Sequence, residues 1–367
     1  MVGINRREFL GGAAAAPLLT LPGIGRALAE DSVLKVAIIH TAPESDTGWE
    51  ADQKSASDAM EAAFPGRIKL TPLWNIFPQQ DNERLFRQLA NQDNKLIFGT
   101  SFSQYATLKK LAPTFPGTRW ECCAGIEATN NLGIFEARAY EGSYVTGIAA
   151  ARMTKSNILG WVGALPVPQV IYSLNGFVQG ARSVNPNIVC KVVWANAWID
   201  PAKEKDAVAA LAAQGADVIS GNPNTPVQGL AAEAKGIWSI GSSGDFSRYV
   251  KKAQLTSFVF DWSPAYIEAV QAVLDGSWKP QSRWRGLGKG GFCKMSTNSP
   301  DLPEKVVAEM KVAEEAIAAG KLHPFAGPLK DQTGKQRVAA GAVLADDQIK
   351  AMNWLVEGVQ GSLSNGG

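Results

Sequence analysis

Aromatic and polar side chains follow several predicted strands of this 367-residue chain, and together they suit a flat, polar ligand. Aromatic faces can stack on a planar ring, while amide, hydroxyl and carboxylate groups can hydrogen-bond to its edge. A nucleobase or nucleoside fits these groups, and a sugar could also use them. The predicted ligand-binding residues are Asp46, Trp49, Ser101, Phe102, Tyr105, Trp198, Asn222, Asn224, Ser243, Asp245, Asp261 and Trp262.

The segment from Ser45 to Trp49 has two interpretations, since it stands between the first predicted strand and a helix. The backbone N–H groups at the helix N-terminus and the Asp46 carboxylate can hold a polar ligand, beside the aromatic face of Trp49. The same residues also suit an ordinary helix start, with Ser45, Asp46 or Thr47 as the cap and Trp49 in the core.

Residues for catalysis are scarce. His40 and His323 are the two histidines, and neither an HExxH nor a GxSxG motif occurs. The glycine-rich segment 286–291 lacks the spacing of a phosphate-binding loop. Glu204 and Asp206 are flanked by lysines on a predicted helix and are interpreted as surface charge. We therefore expect a binding protein without catalytic residues, metal or cofactor, and a nucleoside-processing enzyme is the less favoured alternative.

Composition and charge favour a globular protein of two domains. Hydrophobic residues make up 46% of the chain and charged residues 19%. The formal net charge is only +2, from 36 Lys and Arg against 34 Asp and Glu. A nucleic-acid or anionic-membrane partner would need a basic excess, so neither is expected.

The N-terminus, residues 1–29, is predicted to be a secretory signal peptide. Arg6 and Arg7 precede an apolar run over 11–25, and Ala27-Leu28-Ala29 forms a cleavage site. The paired arginines resemble a twin-arginine signal. The run is too short and too rich in Gly and Pro for a membrane anchor. No Cys lies near the cleavage site to carry a lipid, so we expect a soluble periplasmic product.

Short apolar runs alternate with helical patterns, which predicts an α/β fold with parallel sheets. The first series of strands is Leu34–His40, Ile68–Leu73, Lys95–Phe98 and Thr118–Cys122. The rhythm restarts after Ser156 with Ile158–Val162, Cys190–Asn196, Val218–Ser220, Trp238–Ile240 and Ser257–Asp261. Helices are predicted at Pro303–Ala319 and, at the end of the chain, Asp346–Val359.

Two similar lobes with a ligand cleft between them follow from this repetition. The N-terminal lobe is expected to hold residues 31–152 and about 261–290, and the C-terminal lobe 153–260 and about 291–367. No low-complexity linker separates them, so several strands should join the lobes. Ligands in open α/β sheets bind outside the carboxyl ends of the strands.

The four cysteines are interpreted as small buried side chains. Adjacent Cys122 and Cys123 lack zinc-site spacing, and a disulfide between neighbours would be strained. A single bridge, for instance Cys190 to Cys293, stays open for an oxidising compartment.

Several segments together resemble the basic membrane protein family of ABC-transporter substrate-binding proteins, which includes purine nucleoside receptors. The similarity runs from about Val36 to Val359. The segments that carry it are 46–49 (DTGW), 95–102 (KLIFGTSF), 140–144 (YEGSY), 180–186 (GARSVNP), 198–204 (WIDPAKE), 214–218 (QGADV), 321–328 (KLHPFAGP) and 330–335 (KDQTGK).

This resemblance implies a type I periplasmic-binding fold with two Rossmann-like lobes and three crossovers. It also implies capture of a purine or purine nucleoside for an inner-membrane ABC permease, by a protein expected to be monomeric. Trp49 with Trp198 or Phe102 would form the aromatic sandwich, and Asp46 a base contact. A sensor of the same fold, for another heterocycle or a sugar, is the alternative that the sequence does not separate.

The chain departs from the family pattern where the nucleoside would bind. Ser242-Ser243-Gly244 stands where nucleoside binders carry an acidic residue just before the position of Asp245. Asn222-Pro223-Asn224 replaces a His and an acid, and the lysine of a glycine-rich pattern is displaced to Lys289. Without a ribose-binding carboxylate, a free base such as adenine becomes competitive with a nucleoside.

Overall fold

Two main β-sheets organise the part of the chain that this computed structural model describes, residues 33–76, 79–222 and 224–363. The predicted signal peptide, residues 1–29, lies outside the described residues. The strands are β1 (Leu34–Ile39), β2 (Ile68–Leu73), β3 (Leu96–Gly99), β4 (Arg119–Cys123), β5 (Leu132–Ala137), β6 (Ile158–Gly163), β7 (Val189–Trp194), β8 (Val218–Gly221), β9 (Trp238–Ser242), β10 (Gln254–Phe260), β11 (Ser282–Arg285), β12 (Cys293–Met295), β13 (Leu329–Lys330), β14 (Gln336–Val338) and β15 (Val359–Gln360).

The described helices alternate with these strands, as predicted. They are α1 (Gly48–Ala63), α2 (Gln79–Asn91), α3 (Tyr105–Leu111), α4 (Ala139–Met153), α5 (Pro168–Val184), α6 (Pro201–Ala213), α7 (Val227–Ala234), α8 (Ser263–Leu274), α9 (Glu304–Ala318) and α10 (Asp346–Lys350). The prediction of parallel sheets covered by helices is confirmed.

Both main sheets have the same doubly wound order. The first sheet runs β2-β1-β3-β4-β5-β11, and all its strands are parallel. The second sheet runs β15-β7-β6-β8-β9-β10-β12, in which β12 alone is antiparallel to its neighbour. In each sheet the strand order reverses beside the first strand, β1 or β6. That switch point is where α/β sheets bind ligands.

Strand β1 shows why the first sheet is buried on both faces. Val36 and Ile38 belong to the core that also holds Met60 of α1, whereas Ala37 and Ile39 pack into a separate cluster with Phe86 of α2. Successive side chains of a strand point to opposite faces, so a continuous apolar run fills two cores at once.

The chain passes three times between the sheets, after Ala137, after Phe260 and after Arg285. Helix α4 follows the first passage and packs on the second sheet, where a Cβ at Gly142 would lie only 2.6 Å from Cγ of Phe258. The lobe limits stay a prediction, but this packing favours a first crossover at Arg138 over one near Met153.

The returning strand β11 is held in the first sheet by a buried ion pair. Arg283 lies 2.5 Å from the carboxylate of Glu121, and Trp278 donates its indole N–H to the same carboxylate at 3.0 Å. Both charged side chains are almost fully buried. Loss of either partner would leave an uncompensated buried charge, so the pair fixes where this crossover segment enters the sheet.

The predicted final helix over Asp346–Val359 is wrong beyond its first turns. Helix α10 ends at Lys350, and the chain then forms β15 beside β7. The buried side chain of Asn175 donates to the carbonyl of Trp354 at 2.8 Å and accepts from the N–H of Val356 at 3.0 Å. The Asn175 amide thus satisfies backbone groups of this segment that a helix would otherwise satisfy. Such a contact with a distant side chain is not visible in the local hydrophobic periodicity.

The prediction that the four cysteines are buried side chains is confirmed, because all four are buried and unpaired. The alternative bridge from Cys190 to Cys293 is wrong. Cys190 lies on β7 and Cys293 on β12, which are five strand spacings apart in the second sheet. At about 4.8 Å per spacing the two exceed the reach of a disulfide several-fold.

In the part of the chain that the structure describes, no helix is both long enough and apolar enough to cross a membrane.

A partly buried carboxyl group near the first crossover is expected to make stability depend on pH. Burial raises the pKa of Glu136, on β5, from 4.5 to about 7, against a hydrogen bond from the N–H of Ala137. The folded state therefore binds this proton more tightly than the unfolded state, and stability falls as pH rises from about 4.5 to 7. We expect Glu136→Gln to raise the free energy of unfolding at pH 8 by roughly 1–3 kcal/mol.

Urea unfolding at pH 4.5 and pH 8 tests this expectation. The gain should shrink at pH 4.5, where the wild-type carboxyl group is largely protonated in the folded state. Glu61→Gln, at an exposed position of α1, is the matched control and should change stability little at either pH. An equal effect of Glu136→Gln at both pH values would contradict the assignment.

Candidate functional site

The loop after β1 is anchored by a buried pair. Nδ1 of His40 lies 2.9 Å from Glu50 Oε2, and the other oxygen of Glu50 accepts from the N–H of Ala42 at 3.1 Å. The His40 ring also stacks on Trp74, with centroids 3.5 Å apart. One of the two histidines thus shapes the loop that leads to the candidate site.

Trp49 stands at the start of α1 and is only partly buried. Its indole N–H donates to the carbonyl of Thr100 at 2.9 Å, which joins the loops after β1 and β3 at the switch point. Its ring lies 5.4 Å from both Phe260 and Trp262. Part of the Trp49 ring packs against other aromatic side chains, as the core interpretation expects. The rest of the side chain is accessible to solvent, as the ligand-binding interpretation requires.

Asn224 reaches Trp49 from the second sheet. Its side-chain Oδ1 accepts from the backbone N–H of Trp49 at 2.6 Å, and its own N–H donates to the carbonyl of Trp198 at 3.1 Å. Trp198 is exposed over 42% of its surface. The two predicted stacking tryptophans therefore flank one asparagine, although they come from different sheets.

Asp46 also spans the two sheets, at an exposed position. Its carboxylate accepts from Arg248 at 2.7 Å and from the hydroxyl of Tyr249 at 2.8 and 2.9 Å. The hydrogen bond to Asp46 raises the pKa of Tyr249. Asp46 thus carries an interlobe contact in this structure, where the sequence analysis expected a base contact. We call the group Asp46, Arg248 and Tyr249 the latch.

Asp245 and Asp261 end two neighbouring strands of the second sheet. Asp245 accepts from the Ser296 hydroxyl and from Gln254 Nε2 at 2.9 Å. Burial would raise the pKa of Asp245, but these hydrogen bonds outweigh it and lower that pKa. Asp261 lies 3.3 Å from Lys294 Nζ. The site therefore contains carboxylates that are already partly satisfied.

Asp52 is a member of the site that the sequence analysis missed. It follows Trp49 by three residues on α1, and its Oδ2 accepts from the N–H of Phe260 at 3.2 Å. Burial raises the pKa of Asp52 well above its ordinary value, while Lys294 acts in the opposite direction and Asp261 adds to the rise. Residues three apart on a helix share a face, so the position of Trp49 already pointed to Asp52.

Asn222 and Ser243 occupy the loops after β8 and β9. Asn222 donates from Nδ2 to the Ser242 hydroxyl at 3.4 Å, whereas its Oδ1 is buried without a hydrogen-bond partner among the described residues. Ser243 has a positive φ of 64°. An unpartnered amide oxygen at a strand end is available to accept a hydrogen bond from a ligand.

Of the remaining predicted binding residues, three make contacts within the protein and one is exposed. Ser101 caps a short 3₁₀ turn by accepting from the N–H of Ser103 at 3.3 Å. Tyr105 is buried in the core of the first lobe, and Trp262 is fully buried and stacks on Phe260 at 4.8 Å. Phe102 is 46% exposed and is the one of this group with a free aromatic face.

Among the described residues no group of three or more His, Cys, Asp or Glu side chains is arranged to hold a metal ion. The carboxylates of the site bind lysine, serine, tyrosine and arginine instead. The described side chains therefore offer aromatic surfaces and hydrogen-bonding groups to a ligand.

A family profile described as "ABC transporter substrate-binding protein PnrA-like" matches residues 33–320. The chain is 38% identical to a purine-binding protein of Brucella abortus over 342 residues, which covers 93% of this chain and 97% of that protein. It is 29% identical, over 91% of this chain and 82% of the relative, to a Haloferax volcanii protein named as a candidate ABC transporter glucose-binding protein.

Solved structures show the same architecture. An ABC transporter solute-binding protein of Conexibacter woesei matches with a TM-score of 0.67 at 21% identity, over 79% of this chain and 98% of that one. One from Aeropyrum pernix gives 0.67 at 16% identity, over 87% and 98%. The predicted type I periplasmic-binding fold is thereby confirmed.

Because the latch contains an exposed ion pair between the two lobes, we predict that salt weakens this interlobe contact. Arg248→Ala should shift the balance between closed and open lobes toward open by about two- to fivefold, the range for an exposed ion pair. Interlobe fluorescence energy transfer at low ionic strength would measure this shift.

Lys251→Ala is the matched control, because it removes the same charge from an exposed position nearby. In 1 M NaCl the difference between Arg248→Ala and the wild type should fade, since salt screens exposed charges. Identical transfer in both variants at low salt would show that the latch does not hold the lobes.

Proposed function

Because the chain belongs to the family of PnrA-like ABC transporter substrate-binding proteins, we propose that it captures a purine base or purine nucleoside in the cleft between its two sheets. It then presents the closed, loaded form to an inner-membrane permease. The purine assignment draws on the Brucella abortus relative, which is named as purine-binding and matches over nearly the whole chain.

One observation carries the proposal: Asn224 joins the backbone N–H of Trp49 to the backbone carbonyl of Trp198, which brings the two tryptophan positions to one residue. The indole rings come from different sheets, so a flat ligand inserted between them would touch both lobes. Stacking on an aromatic side chain contributes about 1–3 kcal/mol per base. Phe102, exposed on the first sheet, is the alternative partner for Trp49.

Polar groups around these rings would read the edge of the ligand. Oδ1 of Asn222 accepts a donor such as an exocyclic amine, and Asp52 can either accept or, when protonated, donate. Asp245 and Asp261 influence Asp52 electrostatically and would be the candidates to hold the ribose of a nucleoside. Their existing partners, Ser296 and Lys294, favour a free base over a nucleoside.

A ligand that contacts side chains of both lobes would also favour closure of the lobes. The three passages between the sheets form the hinge, and a ligand that touches both lobes binds the closed form more tightly than the open form. The ligand would leave the receptor chemically unaltered. A twin-arginine-type signal at residues 1–29 would export the folded, monomeric receptor to the periplasm.

Mass spectrometry of small molecules released by denaturing the purified mature protein tests the ligand class. We expect a stoichiometric purine base, and adenine is the first candidate. Release of a purine nucleoside would retain the class and assign Asp245 or Asp261 to the sugar. Release of glucose or another non-purine would overturn the purine assignment but retain the receptor fold. If the site is empty, thermal-shift assays with adenine, guanine, adenosine and glucose decide among the same outcomes.

Trp198→Ala should weaken binding of the released ligand by about tenfold or more, the scale of one lost stacking contact. Calorimetric titration of the ligand-free protein measures the change. Trp198→Phe keeps an aromatic plane at this exposed position and should retain most of the affinity. Unchanged affinity in Trp198→Ala would remove this side chain from the site and leave Phe102 as the partner of Trp49.

A further inference from the structure

A second cavity, of about 480 Å³, shares no lining residue with the candidate site. It lies where the end of α5 meets the segment after α9, beside Tyr144 of α4. Helix α5 leads away from the carboxyl end of β6, so its last turn approaches the opposite edge of the second sheet from the cleft. Its lining residues are Tyr144, Gln179, Arg182, Ser183, Pro186, Lys321, Leu322, His323, Pro324 and Ala326.

The cavity is rich in hydrogen-bond donors and basic groups. Arg182, Lys321 and His323 line it, and no Asp or Glu is among the lining residues. Gln179 and Tyr144 add an amide and a phenolic hydroxyl. The volume of this cavity lies within the range of about 300–1,000 Å³ that is typical of small-molecule sites.

Several of these groups are unused. The side chains of Lys321, Gln179 and Tyr144 have no hydrogen-bond or ion-pair partner among the described residues. Arg182 donates once, to the carbonyl of Ile188 at 3.1 Å, and lies 3.6 Å from the exposed carboxylate of Glu357. The guanidinium thus retains further N–H groups for a ligand.

His323 is oriented by its own loop. Its Nδ1 accepts from the backbone N–H of Phe325 at 3.1 Å, so in the neutral ring the proton lies on Nε2. Burial lowers the pKa of His323, with a further contribution from Arg138 against the opposite effect of Asp346. His323 therefore presents a donor at neutral pH, and an arriving anion would favour its cationic form.

We propose that this cavity is a binding site, separate from the cleft, for a small molecule that carries a phosphate group. The site would surround three anionic oxygens with the Arg182 fork, the Lys321 ammonium and the Nε2–H of His323. Gln179 and Tyr144 would bind the remainder of the ligand. This inference does not depend on the ligand of the cleft.

The two histidines provide a direct readout by NMR, because His40 is buried beside Glu50 and only His323 lines the cavity. Titration of the full mature protein with inorganic phosphate at constant pH and ionic strength should shift the ring resonances of His323 saturably. The resonances of His40 should stay in place. The variant His323→Gln assigns the two sets of signals.

Lys321→Gln should weaken phosphate binding by about tenfold, the scale of one charge-assisted hydrogen bond. Lys289→Gln removes an exposed lysine outside the cavity and should bind phosphate like the wild type. Unmoved His323 signals, or equal phosphate affinity in the two lysine variants, would overturn the proposal. Citrate that shifts His323 where phosphate does not would overturn the phosphate assignment.

Discussion

The candidate site depends on one hydrogen bond between the sheets, from the backbone N–H of Trp49 to the side chain of Asn224. It requires the glycine that precedes Trp49. A Cβ at Gly48 would lie only 2.2 Å from Asn224 Oδ1, and Gly48 has a φ of +70°, which L side chains rarely adopt. Any other residue at position 48 would displace the Asn224 side chain that accepts this hydrogen bond.

Two carboxyl groups of the candidate site, Asp52 and Asp245, are partly shielded from water. The cost of this desolvation is offset by different hydrogen bonds at each carboxyl group. Asp245 gains three hydrogen-bond donors, which lower its pKa, whereas Asp52 retains one backbone donor and burial raises its pKa. Their environments thus favour the ionised form of Asp245 and the protonated form of Asp52, relative to an ordinary carboxyl group.

The architecture could be predicted from the sequence because each strand and helix is indicated by a pattern within its own short segment. Apolar runs such as Leu34–His40 and glycine-bounded helices repeat with the same rhythm in both halves, and a doubly wound sheet follows. The contact between Trp49 and Asn224 agrees with the expectation that the strand ends of parallel sheets converge. Short edge strands such as β11 and β12 were missed, since β11 pairs with a segment more than a hundred positions earlier and β12 has only three residues.

The partners within the site were harder to predict for the same reason. The ligand contact expected of Asp46 stays a prediction, but its hydrogen bonds with Arg248 and Tyr249, about two hundred residues later, were not predicted. No spacing rule reports such a contact. Asp52 and the cavity around Lys321 and His323 likewise arise from helices that meet only in the folded chain.

The four unpaired cysteines have a consequence for biogenesis. Burial raises the pKa of every one of these thiols, so the reactive thiolate is scarce. Folding therefore needs no oxidant. Slow thiol–disulfide exchange would also protect the same side chains from oxidative cross-linking. The lobes thus stay free of covalent bridges that would oppose rotation about the three crossovers.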